Sequence, residues 1–389
     1  MHHVSDDSPV PLPADRHSRY AALALALALP ADVLLYLLLP MYADDFGISL
    51  AQAGGLLAAN RLVRIAGYGA VARFYARHGD RVTCSIAVVA AAGCALGNSV
   101  LSGFWALLVL RLGWGLCYAA LNLSTQALAT ADAQGAARRT GASRAWIALG
   151  PVMALPAGAL MTLHYGPRVI FVVLAGVALL GLLATRALPT GAHATTPSTG
   201  RRIRWPDRLN LWSFVEGLTL DGLFILGLGF LGKDLLPGQA VLVAGLLLAL
   251  RYLSEMLLGP VGGRLADRHG PLRLLVAMSL ATSGALIAFG AGWLWSAAAV
   301  IVVLRALQLP LVAPLVLARY PGPARVPALA SQAVWRDIGA GTGPLIAGLL
   351  LARVPALALY GAAAVTLAVA ALACRGDVSR PVAAPSNSA

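Results

Sequence analysis

Eleven ionisable residues stand inside long apolar runs. They are Asp32, Glu216, Asp221, Glu255 and Asp337 as acids, and Arg61, Arg64, Arg111, Arg251, Arg305 and Arg336 as bases. An ionised side chain at the centre of a membrane helix costs about 2.5–3.5 kcal/mol. Left unpaired, the set would oppose insertion by on the order of 30 kcal/mol. These residues must therefore pair with one another or face a wet cavity. The chemistry open to them is the handling of protons and charged solutes. Desolvation raises a carboxylate's proton affinity and a neighbouring arginine lowers it. For any one residue taken alone, a static ion pair remains the alternative.

Position narrows the list. Asp32 lies about twelve residues into its run, near the middle of a ~30 Å hydrocarbon layer at ~1.5 Å per residue. Asp221 holds the comparable place in the second half, with Glu216 nearer one end. Arg61 and Arg64, three apart, share a helix face with no acid on it. A pair between Asp32 and Arg61 or Arg64 is the expectation. Arg251 and Glu255, four apart, can pair within their own helix. Arg111 sits in Leu107-x-x-x-Arg111-x-x-x-Gly115, with Arg305 as its counterpart. Trp114 and Tyr118, deep in the same run as Arg111, could stack on an aromatic or cationic solute.

The elements that must carry these residues are helices across a bilayer. The 389-residue chain is 59% hydrophobic and 12% charged, where soluble domains carry about 25% charged residues. Its mean hydropathy is +0.77. The runs do not alternate in polarity as transmembrane strands would. Twelve spans are expected, at 20–40, 50–71, 82–104, 105–130, 140–163 and 167–188, then 209–231, 239–262, 272–292, 293–320, 328–352 and 355–374. The net charge of +13 points to topology rather than to nucleic acid. Twenty of the 29 Lys and Arg fall in connectors and adjoining span ends on one side, Arg144 among them, against three (Arg168, Lys233, Arg353) on the other. That bias places both termini in the cytoplasm of a multi-pass protein, with a bacterial inner membrane as the expected setting. Tryptophans near span ends, Trp105, Trp212, Trp293 and Trp335 among them, read as interfacial anchors. Four scattered cysteines read as packing residues, and no metal-ligand spacing, phosphate-binding Gly-x-x-x-x-Gly-Lys-Ser/Thr loop or nucleophile motif is present. Cofactors, metals and ATP are not expected; a proton gradient is the expected driving force.

The chain also repeats. Gly263-Arg264-Leu265-Ala266-Asp267-Arg268-His269-Gly270 has a worn copy 191 residues earlier, Ala72-Arg73-Phe74-Tyr75-Ala76-Arg77-His78-Gly79, in which Ala76 replaces the acid. Arg111 and Arg305 correspond at nearly the same offset, as do, with a small gap, Trp146 to Pro151 and Trp335 to Pro344. The expected organisation is a tail (1–18), a six-helix bundle (19–188), a cytoplasmic linker (189–208), a second six-helix bundle (209–375) and a tail (376–389).

Six plus six spans, a Gly-x-x-x-Asp-Arg-x-Gly turn (Gly263, Asp267, Arg268, Gly270) and the Arg111-x-x-x-Gly115 spacing resemble the major facilitator superfamily over residues 19–375. The resemblance implies an all-α fold of two pseudo-symmetric bundles and a central cavity lined by the first and seventh spans. It also implies a proton-linked role for Arg111 and a gating role for the Asp267 turn. Asp267 is expected to latch onto the start of the fifth span near Thr140, and Arg336 and Asp337 to form a local or gating pair. Gly150-Pro151 resembles part of an antiporter motif and, like Gly343-Pro344, permits close helix crossing at a kink. The function expected is a monomeric secondary transporter in a lipid bilayer, exporting a small organic molecule against protons. Uptake or exchange of an organic anion or siderophore-like metabolite is the alternative, and an intramembrane enzyme or receptor the remote one.

Overall fold

The computed structural model describes residues 13–191, 206–232, 240–351 and 353–376. Most of the expected linker, with Arg201, Arg202 and Arg204, lies outside them, as do Lys233 and the ends of both tails. Among the described residues the chain is helical throughout, and each of the twelve expected spans has a helical counterpart. Among these described residues, eight helices are long and apolar enough to cross a membrane.

The first span is two pieces, α1 (Pro13–Ala28) and α2 (Pro30–Met41). Proline lacks the N–H that a continuous helix would donate to the carbonyl four residues back, so Pro30 frees the Ala26 carbonyl. The second and third spans form one run, α3 (Leu50–Val100), broken only at Gly79, whose φ of 74° suits glycine. The run doubles back there. Gly103, past its end, donates to the Phe46 carbonyl before its start at 2.9 Å, so both arms finish at the same end of the molecule. Helices α4 (Phe104–Ala129), α5 (Ala136–Tyr165) and α6 (Val169–Thr185) complete the first half.

The second half opens with α7 (Arg208–Glu216), a π-turn over Gly217–Leu223 and α8 (Phe224–Gly232) in one rod. Then come α9 (Ala240–His269) and α10 (Pro271–Gly290), followed by α11 (Leu294–Gln308), which passes through a tight turn at Leu309–Leu311 into α12 (Val312–Arg319). Helices α13 (Arg325–Leu350) and α14 (Ala356–Cys374) finish it.

Buried apolar residues form two clusters. One runs from Ala21 to Leu188; the other runs from Leu209 to Cys374 and takes in six first-half residues, Tyr68 and Tyr75 among them. Trp212, expected as an interfacial anchor, is buried in the second cluster and donates to Ser279 Oγ at 3.1 Å. Its ring carries too much apolar surface to leave exposed once a buried hydroxyl is within reach of its N–H. Trp105 and Trp293 remain largely exposed.

Glycines set the closest crossings. A Cβ on Gly150 would stand 2.0 Å from the Ala26 carbonyl oxygen, the group that Pro30 frees, and 3.1 Å from the Pro30 ring. The same device recurs in the second half. A Cβ on Gly339 would meet the Phe214 carbonyl oxygen at 1.9 Å, and one on Gly343 the Gly222 Cα at 2.5 Å. Gly150→Ala therefore has to push α1 and α2 away just before Asp32. The expected cost is about 1–3 kcal/mol, as for other overpacked cores, read as a lower unfolding temperature of the purified protein; an unchanged temperature would mean that this crossing is slack.

Candidate functional site

Two carboxylates sit where their helices break. Asp32 is in the first turn of α2, two residues after Pro30, and Asp221 is inside the π-turn of the seventh span. π-Turns inside helices recur at functional sites because they re-aim one side chain without ending the helix.

Each carboxylate is held by an arginine from the fourth span of its own half. Arg111 Nη1 donates to Asp32 Oδ1, with the arginine side chain 2% and the aspartate 10% exposed. Arg111 Nε donates to the Leu56 carbonyl at 3.2 Å, its guanidinium lies 5.1 Å from the Tyr36 ring centre, and Asn60 reaches Asp32 at 3.4 Å. Arg305 Nη2 donates to Asp221 Oδ1 at 2.6 Å and Nη1 to Glu255 Oε1 at 2.7 Å, while Nε lies 3.9 Å from Glu216. The expected pairing of Asp32 with Arg61 or Arg64 is therefore incorrect. The partner comes from α4, because side-by-side packing of α1 and α4 brings Arg111 to the break in the first span.

The two halves differ in how many charges join in. Asp32 and Arg111 stand as a single pair. In the second half, Arg336 bridges Glu216 at 3.1 Å and Asp221 at 2.8 Å, and Arg251 reaches Asp221 at 3.4 Å and Glu255 at 3.3 Å. The expected local pairing of Arg336 with Asp337 is not made. Neighbours on a helix point about 100° apart, so Arg336 faces α7 and the π-turn while Asp337 faces α3. Asp337 Oδ1 accepts from Arg64 Nη2 at 2.8 Å, across the two halves. The Arg64 guanidinium also lies 4.7 Å from the Tyr118 ring centre.

A cavity of about 50 Å³ lies between the halves, lined by Tyr68, Tyr118, Arg144, Glu216, Arg336 and Asp337 among others. It has room for a few waters, whereas pockets for small organic ligands run to roughly 300–1,000 Å³. Tyr118 lines it; Trp114 does not, being buried in the first-half core. Arg144, counted with the charges of one membrane side at the start of the fifth span, lies a full two turns within α5 and lines the cavity. Neither Arg144 nor Arg61 has an ion pair among the described residues, and Arg61 Nη1 is buried with no hydrogen-bond partner.

One end of the interface is closed by α5 against α9. Asp267 Oδ2 accepts from the Arg138 backbone N–H at 3.3 Å, in the first turn of α5, where an anion meets unpaired N–H groups. A Cβ on Gly263 would lie 2.4 Å from the Ala137 carbonyl oxygen, and one on Gly141 would lie 2.3 Å from that of Gly259. Arg268 and Gly270, the rest of the turn, end α9 and precede α10. Two contacts that sequence reasoning missed join this end. Asp15 of α1 pairs with Arg138 at 2.8 Å, and Arg325 at the start of α13 donates to the Thr130 carbonyl at 2.6 Å. The worn copy of the turn has an acid after all, displaced to Asp80. It is buried and accepts from the Tyr75 hydroxyl at 2.7 Å and from Ser124 at 2.6 Å. An acid directly after the turn glycine was the available signal.

The sequence profile of the Major Facilitator Superfamily matches residues 21–236. The fold is similar to that of the human organic anion transporter MFSD10 (TETRAN), with a TM-score of 0.79 and 17% identity over 93% of this chain and 100% of that one. It is also similar to the proton:xylose symporter XylE bound to 6-bromo-6-deoxy-D-glucose, with a TM-score of 0.75 and 14% identity over 94% of this chain and 95% of that one. No curated protein sequence matches significantly. With the profile covering more than half its length, the chain belongs to the Major Facilitator Superfamily, a family of membrane transporters and not of enzymes.

Proposed function

We propose that the protein is a secondary carrier of a small organic anion, working by alternating access and coupled to protons through Asp32. The observation that carries this reading is the charge balance between the halves. Seven arginines (61, 64, 111, 144, 251, 305 and 336) face five acids (32, 216, 221, 255 and 337), and among the described residues Arg61 and Arg144 are left without ion pairs. Surplus guanidinium groups in a dry interface favour a carboxylate or similar anion as the missing partner. The similarity in fold to a human organic anion transporter is in keeping with that chemistry.

In this reading residues 19–188 and 209–375 are the two bodies that rock about the buried charges, joined by 189–208. The Asp267 end is cytoplasmic, in keeping with the arginine-rich connectors there. Asp32 is the coupling acid because it has one arginine partner where Asp221 has three. The protein works as a monomer in a bacterial inner membrane.

Proton-driven export of an uncharged or cationic molecule is the second reading, favoured by Gly150-Pro151 seated against the break beside Asp32. One experiment separates the two. Protein in liposomes under an imposed pH gradient is given organic cations, neutral molecules and organic anions while internal pH is followed, for wild type and Asp32→Asn. Proton movement that depends on the anion and is lost in Asp32→Asn is the expected result. Proton movement driven by cations would select the export reading, and no solute flux of any kind would overturn both.

A further inference from the structure

Among the described residues, Arg64–Asp337 is the one ion pair that joins the two halves at the depth of Asp32 and Asp221; the other buried pairs close within a half. It is also lightly held. Asp221 is shared by Arg251, Arg305 and Arg336, whereas Asp337 accepts one bond, and its Oδ2 is buried without a partner. Arg64 Nε is likewise buried without a partner. Tyr118 holds the Arg64 guanidinium in place through its ring without neutralising it. Arg61 lies one turn away on the same face, and Arg144 and Arg336 line the same cavity as Asp337. A single, loosely held carboxylate therefore sits among arginines at the closed interface.

We propose that Asp337 is a tethered stand-in for the substrate. In the empty carrier its carboxylate occupies the place on Arg64 that the substrate's anionic head takes when bound. The proposal rests on the anion reading above and adds to it the site of the anion and the fate of that site when empty. An arriving carboxylate can use both Nη2 and the orphaned Nε of Arg64, the fork geometry that a carboxylate fits best. Asp337 is then released, which removes the cross-half tie. After the anion leaves, Asp337 returns to Arg64, so the halves can close again without burying an unpaired arginine. The carrier can thus reset without a second anion.

The test uses the full-length protein, with succinate and benzoate as probes, for wild type, Asp337→Asn and Arg64→Gln. Binding is read from tryptophan fluorescence and the anion-induced rise in unfolding temperature. Flux in liposomes is measured with anion on both sides (exchange) and on one side only (net movement). In wild type the site is open to anion only for the fraction of time that Asp337 is away. Asp337→Asn should therefore tighten apparent binding, by about tenfold if that fraction is about one tenth. The same variant should keep exchange and lose most of its net movement. Arg64→Gln should weaken binding by tenfold or more. Asp337→Ser serves the same purpose if the Asn variant does not fold. Opposite signs for the two residues support the stand-in. Weakening in both, or equal loss of exchange and net movement in Asp337→Asn, would make the pair a plain structural tie and overturn the proposal while leaving the anion reading intact. Absence of wild-type binding and flux with both probes would instead remove the anion reading, and this proposal with it.

Discussion

Arg305→Ala is expected to cost the protein about 3–5 kcal/mol of stability, the penalty for breaking a buried ion pair from one side, and to abolish transport. Arg305 is 5% exposed and touches Asp221, Glu255 and Glu216, three acids from two different rods. Its removal leaves those carboxylates to Arg251 and Arg336, with one buried negative charge in excess. The seventh span then loses the contact that fixes its π-turn against α11. Arg305→Lys keeps the charge but not the fork, since one ammonium cannot reach three carboxylates from a single point. It should fall between wild type and the alanine variant. Thermal unfolding of the detergent-purified protein, alongside flux in liposomes, reads both effects. An unfolding curve unchanged in Arg305→Ala would mean that Arg251 and Arg336 alone hold the acids.

Gly263→Val is expected to leave the fold intact and to hold the Asp267 end open. The Cβ that valine adds would fall 2.4 Å from the Ala137 carbonyl oxygen and 3.0 Å from the Arg138 Cα, both backbone atoms that cannot rotate aside. The first half keeps its own buried cluster and the second cluster draws all but six of its residues from the second half, so most of the strain falls on the approach of α5 to α9 rather than on folding. Overpacking of about 1–3 kcal/mol, placed on the closed state alone, shifts an open-to-closed ratio by roughly 5–150-fold. A cysteine at Thr140, which lines the cavity beyond this crossing, reports the shift. With Thr140→Cys as background, Gly263→Val should speed labelling by a bulky thiol reagent from the Asp267 side and slow transport. Equal labelling in both proteins would show that this end closes elsewhere.

Hydropathy located the helices because a membrane span must be apolar over its whole length, whatever it packs against. The repeat of the Asp267 turn was legible for a similar reason: a short charged connector is easy to read between apolar runs. Partnerships were not legible. Asp32 found Arg111 and not Arg61 or Arg64, since rotation of one helix about its axis decides which face meets which neighbour, and span boundaries leave that angle free. Arg64 found its acid some 270 positions away, on a residue whose immediate neighbour Arg336 looked the simpler partner. Arg144 was lost to a boundary. A charged residue in the first turns of a span looks interfacial until the helix is seen to start at Ala136 and to tilt that turn toward the other half. The π-turn left no trace in the sequence, because Gly217–Leu223 differs from its α-helical neighbours by one extra residue per turn and not by residue type.

The arginine surplus has an electrical consequence. A guanidinium stays protonated at any physiological pH, so the seven positive charges between the halves are fixed, and only the five carboxylates and the cargo can change the total. An empty interface with all five acids ionised carries two net positive charges. Each charge carried fully across a membrane feels about 2.3 kcal/mol per 100 mV. On the anion reading proposed above, a bound dianion cancels the surplus as long as Asp32 is ionised, so that loaded form crosses without regard to voltage and the empty one does not. Polarising the membrane should then act on the return stroke, setting the pace of net movement while leaving one-for-one exchange of dianions untouched.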